Sequence, residues 1–283
     1  MAYGLDTFAP LSLDPNNLSR NRKSDSFGVC LKCCYHCAVI EGVRVGIAYQ
    51  SKISMTNFDE YHGLFAEGRD LDIPSTYNIG VSFDVGQSGI IFADIQRINY
   101  SDVASISNPI SNLLAGACNP GFPGNPTNPT PPGIGAGCLG GSAGGGFGWE
   151  DMTIIKIGYQ IDVGDNTYRV GYSHGDQPIP ESETFFNTLA PAVIEDHFTA
   201  GWTMKVGANQ EFNLAGMYAP SNSVKGQNPV DAGAAGGGHA LASGGPVAAA
   251  MTARAGVLDL RGFFAGRPGA SGASGVYLLA LLT

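Results

Sequence analysis

Four cysteines and a histidine lie within eight residues in CLKCCYHC, and Cys30, Cys33, Cys34, Cys37 and His36 have the spacing of a zinc finger. Extended geometry argues against a metal. At about 3.3 Å per residue, Cys30 and Cys34 would be ~13 Å apart on one face of a strand, too far for one tetrahedral ion. The expectation is small apolar strand residues and no metal site. Catalysis has as little support: His174 and His197 have no Ser or Cys nucleophile at a recognisable elbow. The carboxylates Glu150, Asp151, Glu181, Glu183, Glu195 and Asp196 fall at strand ends or in loops and read as a solvated rim. The glycines from Gly133 to Gly146 have no following Lys-Ser/Thr and no βαβ surroundings, so no nucleotide loop is expected. More informative are four basic residues on polar strand faces, Arg44, Lys156, Arg169 and Lys205, where a ligand carboxylate could find a charge-assisted partner. Pairing with Asp84, Asp94 or Asp162 is the alternative use for each.

The elements that position these residues are strands. Ile155, Ile157, Tyr159 and Ile161 alternate with Lys156, Gly158, Gln160 and Asp162. After Gly164-Asp165 the pattern resumes with Tyr168, Val170 and Tyr172 against Arg169, Gly171 and Ser173. Placing Val163 opposite Asn166 sets Tyr159 across from Val170 and Ile157 across from Tyr172, so the apolar faces coincide. The same alternation runs from 196 to 207 and through Phe212, Leu214, Gly216 and Tyr218. Earlier it covers Val29 to Val39, Val43 to Tyr49, and Tyr77 to Val85 with a return over 90–100. Ile40-Glu41-Gly42 and Gln87-Ser88-Gly89 read as three-residue turns with Gly third.

Short connections near 40, 87, 164 and 208 alternate strictly with long ones at 53–74, 101–150, 175–195 and from 220 onward. That order sends all turns to one rim and all loops to the other, as in an outer-membrane barrel, whereas a Greek-key sandwich would mix them. The expected fold is all-β, an antiparallel up-and-down transmembrane β-barrel with about eight strands present.

Composition agrees. Only 14% of the 283 residues are charged, and 41 glycines and 17 prolines suit a turn-rich β protein. The net charge of −9, with 15 scattered Lys and Arg, argues against nucleic acid. No basic n-region or apolar h-region opens the chain, so it is expected to start inside a longer reading frame. Three parts are expected: a polar loop segment at 1–28, a partial barrel at 29–229, and a Gly/Ala-rich, poorly ordered tail at 230–283.

The wording of several runs carries a resemblance. INYSDVASISNP, GFGWEDMTIIKIGYQ, RVGYSHGDQPIPESETFFNTLAPAVIEDHFTAG and MYAPSNSVKGQNP resemble the FadL type of outer-membrane transporters for long-chain fatty acids and other hydrophobic compounds. The upstream run VRVGIAYQSKISMTNFDEYHGLFAEGRDLDIPSTYNIGVSFDV is similar to the same family. The resemblance implies a fourteen-stranded barrel of which this chain holds part. It also implies residence in the Gram-negative outer membrane, a single-chain unit, and passive movement of fatty acids or other hydrophobic molecules with neither cofactor nor enzyme activity. Some family loops carry a cysteine pair, and Cys118 and Cys138, flanking the Pro-rich tract, are the candidates here. Such a disulfide would close about 20 residues and contribute roughly 3 kcal/mol on a chain-entropy estimate. The competing reading is a secreted, soluble β-sheet binding or adhesion protein.

Overall fold

The computed structural model describes residues 8–9, 11–18, 25–69, 71–114, 135–187, 190–207, 210–227, 239–243 and 275–282. Their strands are β1 (Gly28–Val29), β2 (Lys32–Ile40), β3 (Val43–Gln50), β4 (Ser54–Met55), β5 (Ser75–Val85), β6 (Gly89–Asn99) and β7 (Met152–Val163). After these come β8 (Asn166–Gly175), β9 (Asp196–Lys205), β10 (Glu211–Ala219), β11 (Ser223–Gln227), β12 (His239–Ser243) and β13 (Gly275–Leu282).

Nine of them form one open sheet in the order β13-β10-β9-β8-β7-β6-β5-β3-β2, antiparallel at every step. This is the up-and-down order that the alternation requires. Val163 pairs with Asn166, Tyr159 with Val170 and Ile157 with Tyr172, the register that brings the apolar faces together. The same parity carries across β6, where Ile91, Ala93 and Ile95 meet Tyr159, Ile157 and Ile155.

Two turns differ from the reading of the sequence. Val85 pairs with Gly89, so the second turn is Gly86-Gln87-Ser88, and Gly86 takes the left-handed conformation at φ +63°. Gly89 lies in β6, where the Val85 carbonyl and the Tyr159 hydroxyl occupy the space a side chain would fill. Ile40 pairs with Val43, leaving a two-residue turn at Glu41-Gly42 and an irregularity between Ala38 and Ile40. A third difference lies upstream: Gly28–Val29 pairs with Ser54–Met55 in a separate ribbon, so the sheet proper begins at Lys32.

Hydrogen bonds hold neighbouring turns side by side. Asp84 N–H donates to Gly42 O at 2.8 Å, Asp162 N–H to Ser88 O at 3.0 Å, and Lys205 N–H to Asp165 O at 2.9 Å. At the opposite rim the long connections build a cap around Leu11, Leu18, Ile110, Leu113, Cys138, Leu139 and Phe186. Segment 1–28, read as a polar loop, thus supplies two buried leucines to the cap. Of the 230–283 tail, β12 pairs with β11 and the GVYLLALL run of β13 pairs with β10. The other residues from 230 onward lie outside the described residues.

Gly164 has φ +59° with open space around it, so conformation alone sets the cost of a side chain there. Gly164→Val is expected to destabilise the β7–β8 hairpin by about 1–2 kcal/mol, read as a lowered urea midpoint.

Candidate functional site

The sheet has two chemically different faces. On the outer face Ile95, Ile155, Ile157 and Val170 are 55%, 54%, 51% and 56% exposed, with Ile47, Ile79, Ile91 and Phe198 continuing the surface. No second layer covers them among the described residues. Toward the loop rim this band gives way to polar groups. Arg97 donates to Thr153 Oγ1 at 2.8 Å and to Asp151 Oδ2 at 3.2 Å, and His174 Nδ1 lies 2.9 Å from Asp196 Oδ1.

The inner face carries the basic candidates, since period-two geometry puts Arg44, Lys156 and Arg169 opposite the apolar set. Lys156 has Ser173 on one side and Asp94 on the other in register. Asp94 was among the acids named as possible partners, but its register with Lys156 was not readable, because the strand flanking β7 on that side is separated from it by a long connection. Asp94 leans away over Gly80, where a Cβ would collide with its carboxylate. Lys156 Nζ donates instead to Gln96 Oε1 at 2.8 Å. Arg169 donates through Nε to Gln160 Oε1 at 2.8 Å and through Nη1 to Thr203 Oγ1 at 2.7 Å. Both cations are therefore held by neutral groups and keep their charge uncompensated by any ion pair among the described residues.

Arg44 takes the alternative use foreseen for it, a two-pronged pair with Asp84 at 2.7 and 2.9 Å. Lys205 sits exposed at the short-turn rim. One inner-face group was not singled out in the sequence. Phe92, in register with Ser82 and Gly158, lays its ring over Gly158, where a Cβ would collide with it. A large residue facing a glycine across the ladder was the available signal.

The runs GFGWED and PIPESETFFN meet in the cap. Glu183, read as solvated, is 6% exposed, and its Oε2 accepts the Ile110 N–H at 2.8 Å. Its side chain fills the place of a Cβ on Gly148, which has φ +66°. Asn187, fully buried, donates to Phe147 O and Glu183 O at 2.7 Å each and accepts Trp149 Nε1–H at 2.6 Å. Nearby, Lys52 lies 3.0 Å from Asp72, and that hydrogen bond holds its ammonium above the usual lysine range. In β2, Cys33 and Cys37 share the outer face with Tyr35, while Cys34 pairs with Ala48 on the inner face; these three and Cys30 are free thiols. Cys138 is disulfide-bonded and fully buried, whereas Cys118 lies outside the described residues.

No family model matches the chain, and no curated protein matches it. Among solved structures it is similar to the Pseudomonas putida toluene transporter TodX at 16% identity and TM-score 0.43, over 74% of this chain and 47% of that one. The Ralstonia pickettii toluene transporter TbuX is similar at 14% identity and TM-score 0.40, over 69% and 43%. A Pseudomonas aeruginosa FadL homologue is similar at 12% identity and TM-score 0.47, over 76% and 48%. The chain thus spans about half the length of each.

Asn187→Leu would strand the Trp149 donor and two carbonyls, so a loss of about 2–4 kcal/mol in cap stability is expected, read from Trp149 fluorescence during urea unfolding. Thiol titration in denaturant should find four reactive cysteines before reduction and all six after it. Six before reduction would contradict the disulfide at Cys138.

Proposed function

We propose that the chain is wall and cap of a passive outer-membrane channel for long-chain fatty acids or other hydrophobic molecules. It would act as a single-chain unit without a cofactor, its outer face against membrane lipid. The observation that carries this reading is the continuous apolar face that the described residues leave uncovered, opposite a polar, glycine-rich one. Such a surface is far larger than soluble monomers leave exposed, and it matches what separates hydrocarbon from a wet lumen. A secreted binding or adhesion protein would need a second layer over that face. The sequence resemblance to the FadL type points the same way and supplies the ligand class.

In this reading Lys156 and Arg169 are the inner-wall partners of a carboxylate headgroup, with Phe92 as an apolar contact beside them. About four residues separate the two cations along the hairpin, ~13 Å, so one headgroup would pass from one to the other. Arg44, already paired with Asp84, and Lys205 at the rim are secondary candidates. Cys118 is the proposed partner of Cys138 across the long loop.

The test uses the full chain in outer-membrane vesicles. Lys156→Met and Arg169→Met should each weaken dodecanoate binding by about one to two decades and leave dodecane partition almost unchanged, the effect of losing one charge-assisted hydrogen bond. Equal loss for both ligands would point to damaged packing, and no loss for either would remove these residues from the site. Ile157→Lys on the outer face should cost roughly 2–4 kcal/mol of assembly, seen as loss of the heat-modifiable gel band, whereas Thr199→Lys on the inner face should be tolerated. A detergent-free, fully soluble chain would overturn the membrane reading.

A further inference from the structure

Two glycines stand side by side on the inner face of the sheet. Gly46 of β3 and Gly80 of β5 are register partners, and the same row runs on to His36 of β2 on one side and Asp94 of β6 on the other. Neither glycine has a positive φ, so no turn requires it. The Asp94 carboxylate leans over Gly80, while a Cβ on Gly46 would meet nothing closer than Tyr35 O at 3.9 Å. The missing side chains leave an open hollow of about 410 Å³, with Asn78, Ser82 and Phe92 also around it.

Its polar groups lack partners. Among the described residues Asp94 and His36 have neither a hydrogen bond nor an ion pair. Asn78 Oδ1, from the next inner-face position of β5, is buried with no donor among the described residues. A buried acceptor without a donor is costly, and a bound molecule would supply one. The neighbouring cations are engaged elsewhere. Arg44, at the edge of the hollow, is taken up by Asp84, and Lys156, in register with Asp94, donates to Gln96.

The hollow therefore offers one uncompensated negative charge and three acceptors, the Asp94 carboxylate, Asn78 Oδ1 and an imidazole nitrogen of His36. A carboxylate entering here would meet the like charge of Asp94. A bare metal ion needs converging ligands, and no three His, Cys, Asp or Glu side chains among the described residues are placed to share one. A primary ammonium brings one positive charge and three N–H donors, and its hydrocarbon chain can lie along the glycine floor against Phe92.

We propose that this hollow binds a hydrophobic primary amine as its ammonium ion, with the nitrogen bonded to Asp94, Asn78 and His36. The proposal rests on the transport reading, which puts the hollow in a lumen, and it adds a ligand of opposite charge to the carboxylate assigned to Lys156 and Arg169.

Isothermal calorimetry on the full chain in neutral detergent, with octylammonium, octanol and octanoate as probes, tests it. Octylammonium should bind about tenfold more tightly than octanol, the effect of its charge-assisted bonds. Asp94→Asn should remove that margin, while octanoate binds no more weakly than before. Gly46→Leu, for which there is room at the backbone, should fill the hollow and weaken octylammonium about tenfold, with octanoate binding and the heat-modifiable gel band kept. Octylammonium bound no more tightly than octanol, or unaffected by Asp94→Asn, would overturn the amine site. Octanoate binding in the same preparation would then leave the transport reading standing, and loss of octanoate binding with octylammonium still bound would count against the carboxylate partners alone.

Discussion

An apolar sheet face on which none of the described residues packs a second layer is the constraint from which the rest of the architecture follows. In water, burying that face would be worth about 25 cal/mol for each Å² covered, and a soluble fold would supply a second sheet or helices to do so. Here a continuous hydrogen-bond ladder joins β2, β3 and β5 through β10, and their side chains sort by period two into an apolar set and a polar set. Hydrocarbon satisfies such a face, provided that backbone groups are paired within the sheet. Antiparallel neighbours joined by glycine turns achieve this for every interior strand. The edges β2 and β13 run in the same direction, so they would meet as a parallel pair; antiparallel closure needs an odd number of strands between them.

The cap obeys a different rule. Its connections carry few ladder bonds, so their backbone groups are satisfied by buried side chains, with Glu183 and Asn187 each serving several partners. FGWED and ESETFFN meet one another in this way across separate loops. A polar network thus holds the loops together around an apolar cluster that Leu11 and Leu18 complete.

How much of this was legible follows from what each feature depends on. The β7–β8 register was readable because a two-residue turn and a period of two leave one arrangement that keeps Ile157 and Tyr172 on the same face. Gly86 and Gly89 could not be told apart, since both suit a three-residue turn; Gly86 takes the positive φ, and Gly89 leaves room for the Tyr159 hydroxyl, from a strand more than sixty positions on in the chain. Asp94 was named as a possible partner, but its place beside Lys156 was unreadable for the same reason. Glu183 looked solvated because a loop carboxylate usually is, and its burial depends on an N–H from another loop. Leu11 and Leu18 have no period to announce them. Short-range pattern was legible, and contacts between distant loops were not.

The central claim is that one face of β7 meets lipid and the other water. Single cysteines placed at positions 155 to 161 in a full chain lacking its native free thiols, spin-labelled in outer-membrane vesicles, report this through relaxation by oxygen and by a water-soluble nickel complex. The account predicts a period of two: oxygen favoured at 155, 157, 159 and 161, nickel favoured at 156, 158 and 160. Equal nickel access along the whole strand would contradict it and place both faces in water.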